Sequence, residues 1–472
     1  MQDDTRLFRP ARAALATLLV IQALCTGLPA APAISATKDD GVAAAIKKPA
    51  SSTVTYTHTI SNGTGAGITD ATGVQFADPD VANTTYVPNT LTATPLAIDD
   101  VYPSTVIANT SIDTATSGYS VVTNDFAGYS AGSAVSLAAL TITNVVTPAH
   151  GALVMTLSGA GVGRFVYTPT AGYVGADSFT YSISNNVAGG TAVSRTATVN
   201  LTVGGPVIWF VNPALAVNGT GILGNPFNNL AAAVTAVGAS INQRVFLFSG
   251  GAAQTTGIAL NSGGWLVGQA AVGASFETLM GGISYPSDTT AARPAINNAA
   301  KPSLTRSAGD TVVLAQNNTI LGLAIANSGG GFSINGTAIN ALTLGNDVSL
   351  SSSSTSSGAL SLTGGGNGSL AIGIPISSTG GRSINIGGRT GGSVTFSGAI
   401  SDTGTGINLT GNSGATIAFT GGLSLSTGTN TAFNATGGTV TATQITVPSS
   451  TRSPPPPPPR SMWRTPPSVP AG

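Results

Sequence analysis

SINIGGRTGGSVTFSGAISDTGTGINLTGNSGATIAFTGG, residues 383–422, contains its own echo. Ile384-Asn385-Ile386-Gly387 returns as Ile407-Asn408-Leu409-Thr410, 23 positions on. Ser393-Val394-Thr395-Phe396-Ser397-Gly398 returns as Thr416-Ile417-Ala418-Phe419-Thr420-Gly421 at the same interval. Leu360-Ser361-Leu362 and Ser369-Leu370-Ala371-Ile372 sit 24 before their counterparts, and Phe433-Asn434-Ala435-Thr436-Gly437 follows at 26. Each unit reads as two short alternating strands parted by glycine-rich corners. A unit this small cannot bury its apolar face alone. Stacked coils can, because each strand pairs with those above and below at about 4.8 Å. The apolar positions keep register between units, which low-complexity disorder has no reason to do.

The rest of the chain fits an all-β reading. Its 472 residues allow two or three domains. Charged residues make up only 7%, against about 25% in ordinary soluble domains. Ser, Thr, Asn and 62 glycines carry the polarity instead, a balance suited to strands and tight corners. Beyond the N-terminus no apolar run approaches the roughly 18 residues that a membrane-spanning helix needs. The net charge is zero, so there is no electrostatic footprint for nucleic acid.

Residues 1–36 have the parts of an export signal: Arg6, Arg9 and Arg12, diluted by Asp3 and Asp4, then apolar Ala13 to Leu28, then Ala31-Pro32-Ala33 as a cleavage site. The alternative is an uncleaved anchor. Cys25, the only cysteine, lies inside this segment, and its flank IQALC lacks the leucine that a lipoprotein signal shows three residues before its cysteine. Removal of residues 1–36 leaves no thiol and no disulfide. The expected location is therefore the bacterial cell surface or the surrounding medium.

Residues 37–50 read as a lead-in, followed by alternation in STVTYTHTI, a turn at SNGTGAG and further short strands to residue 96. From 97 to 204 the strand pattern is cleaner. Phe165 and Tyr167 share a face, as do Phe179, Tyr181 and Ile183, with Pro169, Gly172 and Gly175 marking a corner between them. Ala197, Val199, Leu201 and Val203 close the module on one side. Seven or so short strands at this spacing argue a β-sandwich. After Gly204-Gly205-Pro206, read as a hinge, comes WFVNPALAVNGTGILGNPFNNLAAAVTAV. Its Leu230, Ala233, Val234 and Val237 have helical spacing.

Three resemblances follow from these stretches. STVTYT and TYVPNTLTATP resemble a small bacterial surface repeat. AIDDVY, VVTNDF, TPAHGAL, FVYTPTAGYVGADSFTYSISN and TATVNLTV occur in the order seen in tandem Ig-like, cadherin-like domains of large bacterial surface proteins. Residues 209–237 resemble the opening segment of right-handed parallel β-helix (pectin-lyase-like) proteins, where a short helix caps the first coil and protects its unpaired edge. The expected order is a signal at 1–36, a small β-rich module at 37–96, an Ig-like sandwich at 97–204, a capped parallel β-helix at 205–448 and a proline-rich tail at 449–472.

That tail, TRSPPPPPPRSMWRTPPSVPAG, cannot join a parallel ladder and reads as polyproline. With plausible GC-rich codons, Arg460 to Gly472 shifted by one frame can spell LNVANTAIGAG, which would restore the repeat. A frameshift that ends the array early is one reading, and a truncated remnant of a larger surface protein is its functional corollary.

Residues with chemistry are few. His58 and His150 fall in different modules, and no zinc spacing, nucleophile elbow or P-loop is present. From residue 206 onward the acids are Glu277, Asp288, Asp310, Asp347 and Asp402. Asp288 and Asp310 are 22 apart, near one coil. Stacked, with Arg293 and Arg306 nearby, they would suit polysaccharide hydrolysis or lysis. Both nonetheless sit in turn-like contexts. Asp99, Asp100, Asp125 and Asp177 in the sandwich are the candidate calcium ligands, as hard oxygen donors on loops and as the cadherin-like resemblance implies. No catalytic residue and no other cofactor is expected. The leading functional expectation is an exported, non-enzymatic rod that contacts glycans, matrix or other cell-surface proteins through loops. A carbohydrate-active β-helix enzyme is the alternative.

Overall fold

The computed structural model describes residues 34–39, 57–62, 94–130, 133–185, 193–442 and 445–446. The proline-rich tail and nearly all of the export-signal and 37–96 readings lie outside these residues. Within them, Ile34–Asp39 and Thr57–Asn62 pair antiparallel, with Lys38 opposite His58.

The sandwich forms where alternation placed it. One sheet orders Asp100–Val101, Ala197–Gly204, Gly175–Ser184 and Thr141–Val146, and Val106–Ile107 also pairs with Ala197–Gly204. The other orders Ile112–Asp113, Phe165–Pro169 and Gly151–Met155. Phe165, Tyr167, Phe179, Tyr181, Val199, Leu201 and Val203 are all buried. Phe165 meets Phe179 edge-on at 5.2 Å, a favoured aromatic geometry.

Beyond residue 206 the chain winds into a parallel β-solenoid of about eight turns. One face stacks seven strands from Ile258–Ala259 to Phe433–Thr436, and a second stacks seven from Ser303–Arg306 to Ile445–Thr446. The third begins with five strands, Ile208–Val211 to Leu342–Leu344, and four more follow from Leu370–Ile372 to Thr439–Ala442. The register is the one read from the echo: Leu360 pairs with Ile384, Ile384 with Ile407 and Ile407 with Phe433. Val394 pairs with Ile417, and Phe396 with Phe419, whose rings stack at 5.0 Å. From Trp265 onward each coil has three strands rather than the expected two. The third, such as Ile376–Ser378, Ile400–Asp402 and Leu423–Leu425, is only three residues long with one or two apolar positions, so it reads as a turn in the sequence.

Helix α1, Leu230–Val237, forms as its periodicity requires. The Asn229 side chain caps it by accepting from Ala232 N at 2.9 Å, and Leu230 and Ala233 are buried. It packs against the first solenoid strand. One coil is long: Trp265 pairs with Thr319. The intervening chain carries the short helix α2, Phe276–Leu279, which lies over the third face. Phe276, Met280 and Ile283 bury against Ile208, Phe210, Phe246 and Val267, making a second core on that side of the sheet.

Candidate functional site

Two compact units divide the described chain. Asp99–Thr123, Thr141–Ser182 and the chain from Thr196 form one of them, so that most of the sandwich and the whole solenoid belong together. Their junction is densely bonded. Ile107 of the sandwich joins the core of Ile208, Phe210, Leu223 and Phe246. Asn109 is fully buried, with φ +61°. Its Nδ2 donates to the Ile208 carbonyl at 2.9 Å, its Oδ1 accepts from Gly172 N at 2.6 Å, and its own carbonyl accepts from Leu223 N at 2.9 Å. Asparagine suits this position because it tolerates left-handed backbone while its amide bonds both neighbours. Gly204-Gly205-Pro206 is not a free hinge, since Gly204 O accepts from Ala108 N and Pro206 is followed at once by this shared core.

Asp288 completes the junction. It is 3% exposed, and its carboxylate accepts from the Tyr102 hydroxyl at 2.8 Å, Ser117 N at 2.9 Å and the Ser117 hydroxyl at 3.0 Å. Its carbonyl accepts from Asp113 N, and Thr289 bridges to Ile112. Burial, and then the bond to Asp288, hold the Tyr102 phenol well above its ordinary pKa. A carboxylate engaged by three donors is a fastener between modules.

The pairing expected of Asp288 and Asp310 does not form. Asp288 belongs to the long insertion and faces the sandwich, whereas Asp310 accepts from Phe332 N and Asn335 Nδ2, both at 2.7 Å, on the next coil. Arg306 donates to the Asp310 carbonyl, and Arg293 pairs with Glu277 at 3.4 Å. The other solenoid acids behave alike. Asp347 accepts from Gly322 N and Val272 N, and Asp402, fully buried, from Ser383 N and Gly404 N. The expected turn role thus holds in kind. The backbone groups served often lie far along the chain, because coils bring them alongside.

The four candidate calcium ligands are similarly engaged. In the larger unit, exposed Asp99 accepts from Thr198 N at 2.8 Å and buried Asp100 from the Tyr181 hydroxyl at 3.1 Å. Asp177 accepts from the Tyr167 hydroxyl at 2.7 Å, His150 N at 3.2 Å and Ser178 N at 2.9 Å. In the other unit, Asp125 accepts from Ile98 N at 2.7 Å. Among the described residues no three His, Cys, Asp or Glu side chains gather to hold a metal ion. Calcium takes six to eight oxygens, and each of these four carboxylates already accepts at least one hydrogen bond from the protein.

The outer faces of the solenoid are hydroxyl and amide ladders. Ser351, Ser377, Ser401 and Ser424 pair in register and are exposed. On the neighbouring face Asn434 donates to Asn408 at 2.8 Å, Asn408 to Asn385 at 2.9 Å and Asn385 to Ser361 at 3.4 Å. An open groove of about 630 Å³ near the first coil is lined by groups such as Leu215, Val217 and Phe248, with no titratable side chain. Sequence reasoning missed Asn109 and the junction role of Asp288. Asn109 lies in a plain IANTS run, and its partners are remote in sequence. No helix of the described chain is long and apolar enough to cross a membrane.

Residues 77–202 match the model of a bacterial Ig domain. That match spans the sandwich and begins within the stretch read as the preceding module. No curated protein and no solved structure matches the chain.

Proposed function

We propose that this chain is an exported, non-enzymatic structural or adhesive protein of the bacterial surface, contacting glycans, matrix or other cells through its loops and ladder faces. The observation that carries the reading is the use made of the carboxylates. Every aspartate of the solenoid accepts hydrogen bonds from a backbone N–H, and the one Glu is paired with Arg293. General acid–base chemistry needs a carboxyl group free to exchange a proton with substrate. The bacterial Ig match supports a surface setting, since such domains are common in exported and surface proteins. An exposed ladder of hydroxyl groups beside a half-buried amide ladder, both at a regular repeat, suits repeated weak contacts whose strength comes from multivalency.

The test uses the full chain produced with its own N-terminus. Fractionation should place it outside the cytoplasm. Binding to immobilised polysaccharides and to cells should be retained without release of reducing ends or unsaturated sugars. Turnover of a polysaccharide, abolished by Asp310→Asn, would replace this reading with the enzyme.

A further inference from the structure

The second solenoid face carries two parallel files of hydroxyl groups. Ser351, Ser377, Ser401 and Ser424 form the first, exposed and paired in register. Two residues further along each coil stands the other: Ser307, Ser328, Ser353, Thr379, Thr403 and Ser426. The backbone ladder continues through it, since Ser353 N donates to Asn327 O, Thr379 N to Ser352 O, Thr403 N to Ser378 O and Ser426 N to Asp402 O. Every position of this second file is Ser or Thr, and all are exposed except half-buried Ser426. Between the files run Ser352, Ser378, Asp402 and Leu425, all buried. Strand alternation therefore turns both hydroxyl files outward.

Together the files make a two-dimensional lattice. Coils repeat at about 4.8 Å up the stack, and the files lie about 6.6 Å apart along each strand. The strands of this face pair residue for residue from Ser303–Arg306 to Ile445–Thr446, which keeps the files straight. Neither file holds a charged or aromatic residue. Asp402, between them, is sealed inside and bonded to Ser383 N and Gly404 N. The neighbouring amide ladder differs, because Asn434, Asn408 and Asn385 commit their donors to the coil below. The hydroxyls of Thr379 and Ser328 reach protein carbonyls only at 3.5 and 3.4 Å, so their bonding capacity faces outward.

We propose that this face binds ice. An exposed hydroxyl gains little from a dissolved polar partner, because each new hydrogen bond replaces one to water. Against ice that penalty disappears, since solid water takes the place of liquid water at the same hydroxyl. Hydroxyls held rigidly at spacings on the scale of the oxygen repeats of ice order the first water layer, and weak contacts add from coil to coil. Charged side chains would disrupt that layer with their own hydration, and neither file has one. A sugar ring would want an aromatic surface to stack on, and neither file has that either. Ice binding does not depend on the contacts with glycans, matrix or cells proposed above.

Slow growth of ice from a dilute solution of the full chain tests this, with protein compared between the ice and the remaining liquid. Serum albumin serves as the non-binding standard. The chain should enter the ice about tenfold more than that standard, and the double variant Ser377→Tyr with Ser401→Tyr should lose the excess. Both positions are exposed, so the unfolding midpoint should stay unchanged. Thr395→Tyr, on the four-stranded face beside Ala371 and Ala418, should enter as the unaltered chain does. Exclusion of the unaltered chain from ice, or equal entry of the double variant, would overturn the proposal. Exclusion from ice together with binding to microcrystalline cellulose that the double variant abolishes would assign the face to a glycan instead. Should the double variant fold poorly, unchanged entry of Thr403→Lys alone counts against ice binding with the same force.

Discussion

The sandwich and the solenoid solve burial in opposite ways. The sandwich closes a single core from few large rings, Phe165, Tyr167, Phe179 and Tyr181, each with an individual partner. Two of its tyrosines keep their hydroxyls inside by donating to buried aspartates, Tyr167 to Asp177 and Tyr181 to Asp100. The solenoid repeats one small core, with Ile334, Leu360, Ile384 and Ile407 stacked in a file. Its polar interior groups, such as Asn327, Ser352, Ser378 and Asp402, line up at a corner, where they cap turns. Loss of one ring in the sandwich damages a unique contact. A fault in the solenoid is felt by the coils above and below, because stability there is a sum over neighbours.

That contrast can be broken most forcefully at the centre of the stack. Leu360→Asp would place an unpaired carboxylate between Ile334 and Ile384, and a loss of about 4 kcal/mol or more is expected. Circular dichroism melts should show the solenoid signal and the near-UV signal of the sandwich aromatics lost together, at a lower temperature than in the unaltered chain. Asp288→Ala would leave Tyr102 and Ser117 donors unmet at the junction, costing about 3 kcal/mol. The expected calorimetric trace then separates into two transitions, and a single unshifted peak would show that the fastener is dispensable.

Alkaline pH separates the regions by chemistry. The Tyr102 and Tyr167 phenols are held above their ordinary range by burial first and then by Asp288 and Asp177. Their contribution is fully present below the unfolded value near pH 10 and is lost as pH rises toward the raised native values. Stability should therefore fall above about pH 10, by roughly 1.4 kcal/mol per pH unit for each of the two, followed by phenolate absorbance against unfolding midpoint. The smallest effect belongs to the outer amide ladder. Asn408→Ala removes bonds to Asn385 and Asn434 and should cost about 1 kcal/mol or less by denaturant melts, since water competes for these half-buried groups.

The legibility of the chain follows the same division. Residues 383–422 disclosed the stacking register because identical burial demands recur at each coil, and Ile384 opposite Ile407 is read directly from spacing. Alternation likewise gave the buried faces of Phe165–Pro169 and Ala197–Gly204. The third strand of each coil was hidden because three residues such as Ile400-Ser401-Asp402 carry too little pattern. Asp288 and Asp310 looked like neighbours by their separation, yet Asp288 sits in an insertion, and spacing has no meaning where the chain leaves the stack. Asn109 acquires its significance from partners remote in sequence, Ile208, Gly172 and Leu223, which a local reading does not supply.

The central claim is that the sandwich is bonded to an in-register stack of coils as one unit. Hydrogen–deuterium exchange of the full chain tests it directly. Strong protection should recur in Phe332–Thr337, Gly358–Thr363, Arg382–Gly387 and Gly406–Thr410, and the amides of Ala108, Asp113 and Ser117 should be protected together with Leu223. Rapid, uniform exchange across residues 303–442, or free exchange at Asp113 and Ser117 beside a protected stack, would contradict it.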